Sequence, residues 1–416
     1  MKHKTSSVYI EYNFFEGSFD LYMKTLITNG KIILPNRIVE NKSVIINGTK
    51  IEAVIDDEKI GADADCVIDA KGLYVSPGFV DIHVHGGGGY SFMDGDTESF
   101  LGVARAHAIH GTTSLLPTTL ACTFEELKAA LDAFDDAVKA NKDGANMLGF
   151  NLEGPYFSLA QCGAQNPEYI TPPQEKQYKE IAEKYNSILM WCSAPELDGA
   201  PEFARYLTEK GIVASIAHTN ADYDDVVKGY EAGYRHVTHI YSGMTGVFRV
   251  NSYRYAGVVE SAFLIDDLTV EVIADGCHLP KALLQLIYKI KGADRIALVT
   301  DATNAAGQNV SESILGSRKN GTRVIVEDGV AKLPDRQSFA GSVATTDRLV
   351  RNMYRLAEVK LVDAVRMASL TPARIIKKDI NKGNIAAGKD ADIVFFDDDI
   401  NIKRTIIGGK TVFTDE

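Results

Sequence analysis

Two histidines two positions apart, His83 and His85, end the apolar run "VSPGFVDIHVH", and four glycines, Gly86 to Gly89, follow at once. Alternate residues of a strand project to the same side, so both imidazoles face one way at the strand's C-terminal end and can reach one ion. A lone buried histidine is ordinarily a hydrogen-bonded core residue, whereas a pair at this spacing beside backbone-exposing glycines points to a metal. The glycines do not match GxGxxG, so they predict a loop at a strand end instead of a dinucleotide-binding turn.

Other apolar segments end in the same kinds of donor. Glu153 closes "MLGFNLE", His218 closes "VASIAH", His239 closes the apolar part of "HVTHIY", and Asp301 closes "IALVTD". Four imidazoles and two carboxylates form a borderline donor set that suits Zn²⁺ first and Fe²⁺ second; an all-oxygen set would suit Mg²⁺ or Ca²⁺. Six donors exceed one tetrahedral site. Either two ions share Glu153, or one ion uses Glu153, His218 and His239 with the others in support. A divalent ion in such a place acidifies water and polarises a carbonyl. Asp301 is expected to move the proton in addition to its place in the donor set, since a carboxylate ending an apolar strand needs a partner. His278, in the loop "ADGCHLP", is expected over the same face. His107 and His110, in or beside a helix, and His236, which opens a strand, are read as structural.

The elements that must bring these residues together follow from the periodicity. Eight apolar segments, "FVDIHVH", "TSLLPT", "MLGFNLE", "ILMWCS", "VASIAH", "HVTHIY", "VEVIAD" and "IALVTD", are mostly separated by helical patterns such as "TFEELKAALDAFDDAVKA" and "ADYDDVVKGYEAG". This α/β alternation predicts a (β/α)8 TIM barrel, whose strand ends on the C-terminal face carry the chemistry. Both chain ends have a different rhythm. Short alternating runs between Asn-Gly turns follow Met23, and similar runs fill "AAGKDADIVFFDDDINIKRTIIGGKTVF", so a small β-sandwich is expected from the two termini. The expected organisation is an N-terminal extension over 1–22, sandwich parts over 23–76 and 379–416, and the barrel over 77–378. "TRVIVEDGVAKL" predicts a hairpin turning at Asp328-Gly329 that helps to cover the site.

Composition narrows the function classes. With 44 Lys and Arg against 56 Asp and Glu, a net charge of −12 argues against general nucleic-acid or anionic-membrane binding, and an anionic substrate needs local positive charge. The five cysteines never form CxxC, which argues against a disulfide framework and fits a reducing cytoplasm. Neither a membrane span nor an export signal is expected.

The phrases "PGFVDIHVHGGGG", "NLEGPYF", "SAPE", "AHTNADYDDV", "THIYSGM", "ADGCHLP", "LVTDA" and "AGS", in this order, resemble the amidohydrolase superfamily, and within it the enzymes that deacetylate N-acetyl amino sugar 6-phosphates. The likeness runs from about Met23 into the C-terminal strands. It implies a metal-dependent amide hydrolase that releases acetate and an amino sugar phosphate. It also implies that His278 contacts the sugar. Three segments depart from the pattern. "CGAQNP" carries Gln165 where the family has a histidine that orients the substrate carbonyl; "YSGM" places Ser242 and Gly243 where backbone groups meet substrate; "RYAG" aligns Arg254 with the phosphate clamp, with Arg249 in the same loop. The resemblance admits a homodimer in which this arginine serves a neighbouring subunit. Altered contacts beside an intact donor set leave galactosamine and mannosamine derivatives open as substrates.

Two rival readings remain at this stage. Another hydrolase or deaminase of the superfamily is one, although Glu153 stands where dihydroorotases and hydantoinases use a carboxylated lysine. A catalytically silent amino-sugar-phosphate binder is the other, and Asp301 argues against it.

Overall fold

The computed structural model of the chain describes residues 23–59 and 64–415; the extension expected over 1–22 lies outside them. Eight parallel strands run through the middle of the chain: β1 (Phe79–Val84), β2 (Thr112–Pro117), β3 (Phe150–Glu153), β4 (Ile188–Ser193), β5 (Val213–Ile216), β6 (His236–Val237), β7 (Thr269–Val272) and β8 (Ile296–Leu298). β2 pairs with β1, and β3 to β8 pair in chain order. Parallel bridges Thr118↔Asn151 and Val84↔Ala302 join these two arcs. At the second seam Asp301 N–H donates to the His83 carbonyl at 2.9 Å and His85 N–H to that of Ala302 at 2.9 Å. The ring is thereby closed, as the alternation of apolar segments predicts. Its seam joins the strand of the two paired histidines to the segment of Asp301.

A helix follows each strand, from Thr97–Ala108 after β1 to Thr346–Arg355 after β8. Every residue of β1 and β2 is buried, which is why they read as continuous apolar runs and not as alternation. The helix Phe124–Ala140 shows how sequence sets the outer layer. Thr123 and Glu126 form a reciprocal capping box at its start, and Leu127, Ala130, Leu131, Phe134 and Ala137 recur at three- and four-residue steps to make the buried face. Phe134 packs on Phe150 of β3, ring centroids 5.0 Å apart, and Phe100 lies 6.1 Å away on the other side. Phe150→Ala is expected to cost about 3–5 kcal/mol, measured by chemical denaturation of apoprotein, because two rings would line the void.

The chain ends build two further sheets. A six-stranded sheet takes Lys31–Leu34, Arg37–Val39 and Tyr74–Pro77 from the first part of the chain and Ile393–Phe396, Ile402–Ile407 and Lys410–Thr414 from the last. A four-stranded sheet of Lys24–Thr28, Lys42–Asn47, Lys50–Asp56 and Cys66–Asp69 accompanies it. Ile27, Val44, Val75 and Phe395 belong to one buried cluster fed by both ends. Tyr74–Pro77 passes through Gly78 directly into β1, so the sandwich anchors the root of the histidine strand. A Cβ on Gly78 would lie 2.2 Å from the Thr113 hydroxyl, so this junction requires glycine.

An antiparallel insertion, Glu312–Leu315, Thr322–Glu327 and Val330–Lys332, follows β8. Its tight turn falls at Asp328 (φ 53°) and Gly329 (φ 76°), the pair of positive φ values that a two-residue hairpin needs. Among the described residues no helix is long and apolar enough to cross a membrane.

Candidate metal centre and substrate cavity

At the C-terminal end of the ring, His83 from β1 and His85 just after it meet Glu153 from β3, His218 after β5, His239 after β6 and Asp301 after β8. The Glu153 carboxylate is the hub. Its Oε1 lies 3.1 Å from His218 Nε2, 2.9 Å from His239 Nε2 and 3.6 Å from His83 Nε2, while its Oε2 is 3.4 Å from His85 Nε2. Asp301 Oδ1 is 3.0 Å from His85 Nε2 and 3.6 Å from His83 Nε2. All six sequence-derived donors are therefore together. Two groups have metal-ligand spacing, His83 with His85 and Glu153, and Glu153 with His218 and His239.

The outward sides of the rings define what the inward sides can do. His83 Nδ1 lies 2.9 Å from the Glu271 carboxylate, His85 Nδ1 3.2 Å from the Thr118 carbonyl, and His218 Nδ1 2.9 Å from the Gln161 carbonyl. Each of these partners only accepts, so each Nδ1 carries a hydrogen, and any electron pair available for a metal is that of the inward Nε2. His83 and His85 then oppose lone pairs across 3.3 Å, beside two carboxylates. Such an all-acceptor cluster repels itself unless positive charge sits among its members, and this donor set fits a divalent cation. The titration of the bare cluster shows the same demand. Burial presses His83 toward its neutral form, yet Glu271, Glu153 and Asp301 outweigh burial and raise its pKa to about 10. Burial also works to raise the pKa of Glu153 and Asp301, but hydrogen bonds and charge from the surrounding histidines prevail and hold both below the ordinary carboxylate range.

The backbone is bent to aim these groups. His218, His239 and Asp301 all have positive φ, 44°, 26° and 48°, a costly conformation for residues with a Cβ. In each case the chain has just left its strand, and the bend turns the side chain over the mouth of the ring. Gly341 packs where a Cβ would stand 2.7 Å from the Asp301 carbonyl, and Ser342 N–H donates to that carbonyl at 2.7 Å. On the histidine side, Gly86 and Gly87 pair with Tyr90 and Ser91. His107 Nε2 donates to the Gly86 carbonyl at 2.9 Å, and burial lowers the His107 pKa to about 4, so it braces the glycine loop as a neutral ring.

A cavity of about 320 Å³ opens above the cluster, with His85, Glu153, His218, His239 and Asp301 in its floor. Gln165, Ser242, Gly243 and His278 also line it. Gln165 donates through Nε2 to Glu153 Oε2 at 2.6 Å and accepts from Ala121 N–H at 2.9 Å, so both ends of its amide are engaged. His278 is held through Nδ1 by Asp275 at 2.8 Å, which leaves Nε2 for the cavity. Leu315 of the insertion also lines the cavity, as do Ser338 and Phe339 from the segment after it, and Phe339 packs on His278 with ring centroids 4.6 Å apart. Arg249 and Arg254 are not brought to the cavity. They pair across an exposed hairpin, Phe248–Val250 with Tyr253–Tyr255, outside the lining.

Three acidic residues in the site's support escape the sequence reading. Glu271, on β7, is fully buried and joins His83, His236 and the His239 backbone. Asp81, also fully buried, accepts from Thr300 Oγ1 at 2.5 Å across the seam, and burial raises its pKa to about 7. Asp275 orients His278. Each stands in or beside an apolar run, the same signal that singled out Asp301.

Comparison with known proteins identifies the family. The Amidohydrolase family model matches residues 74–412. N-acetylglucosamine-6-phosphate deacetylase of Lysinibacillus sphaericus is 30% identical over 393 residues, 94% of this chain and 98% of that protein. N-acetylgalactosamine-6-phosphate deacetylase of Shewanella sp. (strain ANA-3) is 32% identical over 340 residues, covering 82% and 83%. The crystal structure of N-acetylglucosamine-6-phosphate deacetylase from Pasteurella multocida superposes with a TM-score of 0.88 at 28% identity, covering 94% of this chain and all of that one. The chain belongs to the amidohydrolase family.

Proposed function

We propose that the chain hydrolyses the 2-acetamido group of an N-acetyl amino sugar 6-phosphate, N-acetylglucosamine 6-phosphate or a close relative, giving acetate and the amino sugar phosphate. The observation that carries this reading is the convergence of four imidazole Nε2 atoms and two carboxylates, with every one of these residues except His83 lining a cavity of about 320 Å³. Relatives that share about 30% of their residues over most of the chain support it. His83, His85, Glu153, His218, His239 and Asp301 would hold the cation, zinc by preference and iron second, as one ion on Glu153, His218 and His239 or two that share Glu153. When bound, it supplies a polarised amide carbonyl and an acidified water.

The protein's own groups do the rest. Asp301, kept anionic by its histidine neighbours, accepts a proton from the attacking water as the new C–O bond forms. It then delivers that proton to the amide nitrogen as the C–N bond breaks, because an amine leaves readily only when protonated. Gln165 braces Glu153, and His278, fixed by Asp275, presents Nε2 to the sugar. Ser242 and Gly243 offer polar groups from the cavity wall beside His218.

Arg254 is assigned to the phosphate. Its exposed hairpin lies outside the cavity of its own chain, so this assignment requires a homodimer in which the arginine reaches a neighbouring site. Arg254→Ala is expected to raise KM for the phosphorylated substrate roughly 10- to 100-fold, matching the loss of charge-assisted bonds worth about 1.5–3 kcal/mol. The unphosphorylated analogue should change little, and equal effects on both would remove the assignment. Five free thiols support a reducing compartment, the cytoplasm. We divide the chain into sandwich parts at 23–76 and 379–416 and a barrel at 77–378. The deciding experiment is an acetate-release screen over N-acetylhexosamines with and without a 6-phosphate, with ammonia followed in parallel. Ammonia without acetate would indicate a deaminase, and binding without either product a silent binder.

A further inference from the structure

Glu271 is a carboxylate with no exposure to solvent, placed by β7 inside the ring one layer below the donor cluster. Such a group persists only when several partners satisfy it. Its partners are specific. Oε2 receives His83 Nδ1 at 2.9 Å and the His239 backbone N–H at 3.1 Å, and Oε1 receives His236 Nε2 at 3.2 Å. His236 is itself held from behind by Thr269 Oγ1 at 2.6 Å. One oxygen thus touches a ring from the His83–His85 group and the backbone of the residue that closes the Glu153–His218–His239 group. The His239 backbone lies at φ 26°, where a hydrogen bond to its N–H helps to hold the turn.

From this arrangement we infer that Glu271 is a positioning residue that fixes the His83 tautomer and ties both donor groups into one rigid centre. The inference rests on the metal reading above. With Nδ1–H committed to Glu271, the inward Nε2 of His83 is always the free electron pair, and its basicity is raised by the charge behind it. His236, which the sequence marks only as a strand-opening histidine, fills the second oxygen and keeps Glu271 from turning away.

The test uses the full chain, its Glu271→Gln variant, and zinc as the probe. Competition with a chromophoric chelator is expected to show zinc affinity about 10- to 100-fold weaker in the variant. The midpoint of thermal unfolding of zinc-free protein serves as the control, since a merely structural role would lower that midpoint without moving the affinity. Nitrogen-15 spectra of histidine-labelled, zinc-loaded wild type are expected to show His83 carrying its proton on Nδ1 and zinc on Nε2. If Glu271→Gln fails to fold, Glu271→Asp, whose shorter side chain withdraws the carboxylate from His83 Nδ1, takes its place, with the same loss of zinc affinity expected. Zinc affinity within twofold of wild type in a folded variant, or a His83 proton on Nε2, would overturn the inference. Wild-type protein that takes up no zinc would overturn both the inference and the metal reading, a result distinct from the other two.

Discussion

Asp301→Asn is expected to lower kcat for acetate release by roughly 10²- to 10⁴-fold, the range that general acid–base groups contribute. Asparagine keeps an oxygen where Asp301 Oδ1 meets His85 Nε2 at 3.0 Å, so the cluster should still bind its ion. It cannot take a proton from water. KM should move much less than kcat, because the lost interaction belongs to the transition state. Steady-state acetate release together with metal analysis of the same sample separates these effects. A variant that retains its metal and loses less than tenfold in kcat would show that another group shuttles the proton. A variant that loses both together would show that Asp301 acts mainly as a ligand.

Glu153→Gln is expected to have the other large effect, and for a different reason. Glu153 is the member common to both donor groups, and its two oxygens together lie within 3.6 Å of all four inward Nε2 atoms. Replacing one oxygen by an amide nitrogen turns an N–H toward imidazole lone pairs and removes the charge that a shared ion needs. Metal content and activity should fall together, by more than the roughly 10- to 100-fold that follows loss of an outer partner such as Glu271. The amide oxygen introduced by Glu153→Gln can still accept from Gln165 Nε2, so Gln165→Ala, which removes that contact and leaves the carboxylate in place, is the useful comparison. It should weaken zinc far less.

The donor set was legible in the sequence because a parallel strand buried on both faces is almost wholly apolar, so a polar residue at its end stands out. His83 and His85 also share one side of a strand, which makes a pair more informative than either alone. The sandwich was legible because sheets with one wet face alternate, and that alternation appears at both chain ends. Glu271 was missed although it sits inside "VEVIAD", since its role depends on which strand neighbours β1 across the ring and on the depth at which His83 enters. Neither is written in a local period. β6 shows the same limit. Only His236–Val237 is extended, and His239 reaches the cluster through a left-handed turn that apolar patterning does not signal. Arg254 aligns with a phosphate clamp by its neighbours in sequence, yet whether its loop folds over its own cavity is a matter of tertiary structure, and here it does not.

Whether these six side chains hold a divalent cation that makes water reactive beside Asp301 is decided by titrating zinc into chelator-stripped protein while acetate release from N-acetylglucosamine 6-phosphate and its galactosamine counterpart is followed. Stripped protein should release no acetate, and release should rise with added zinc until it saturates at about one or two equivalents per chain. Release that persists undiminished in stripped protein, or full zinc occupancy with no acetate from either sugar phosphate, would contradict it.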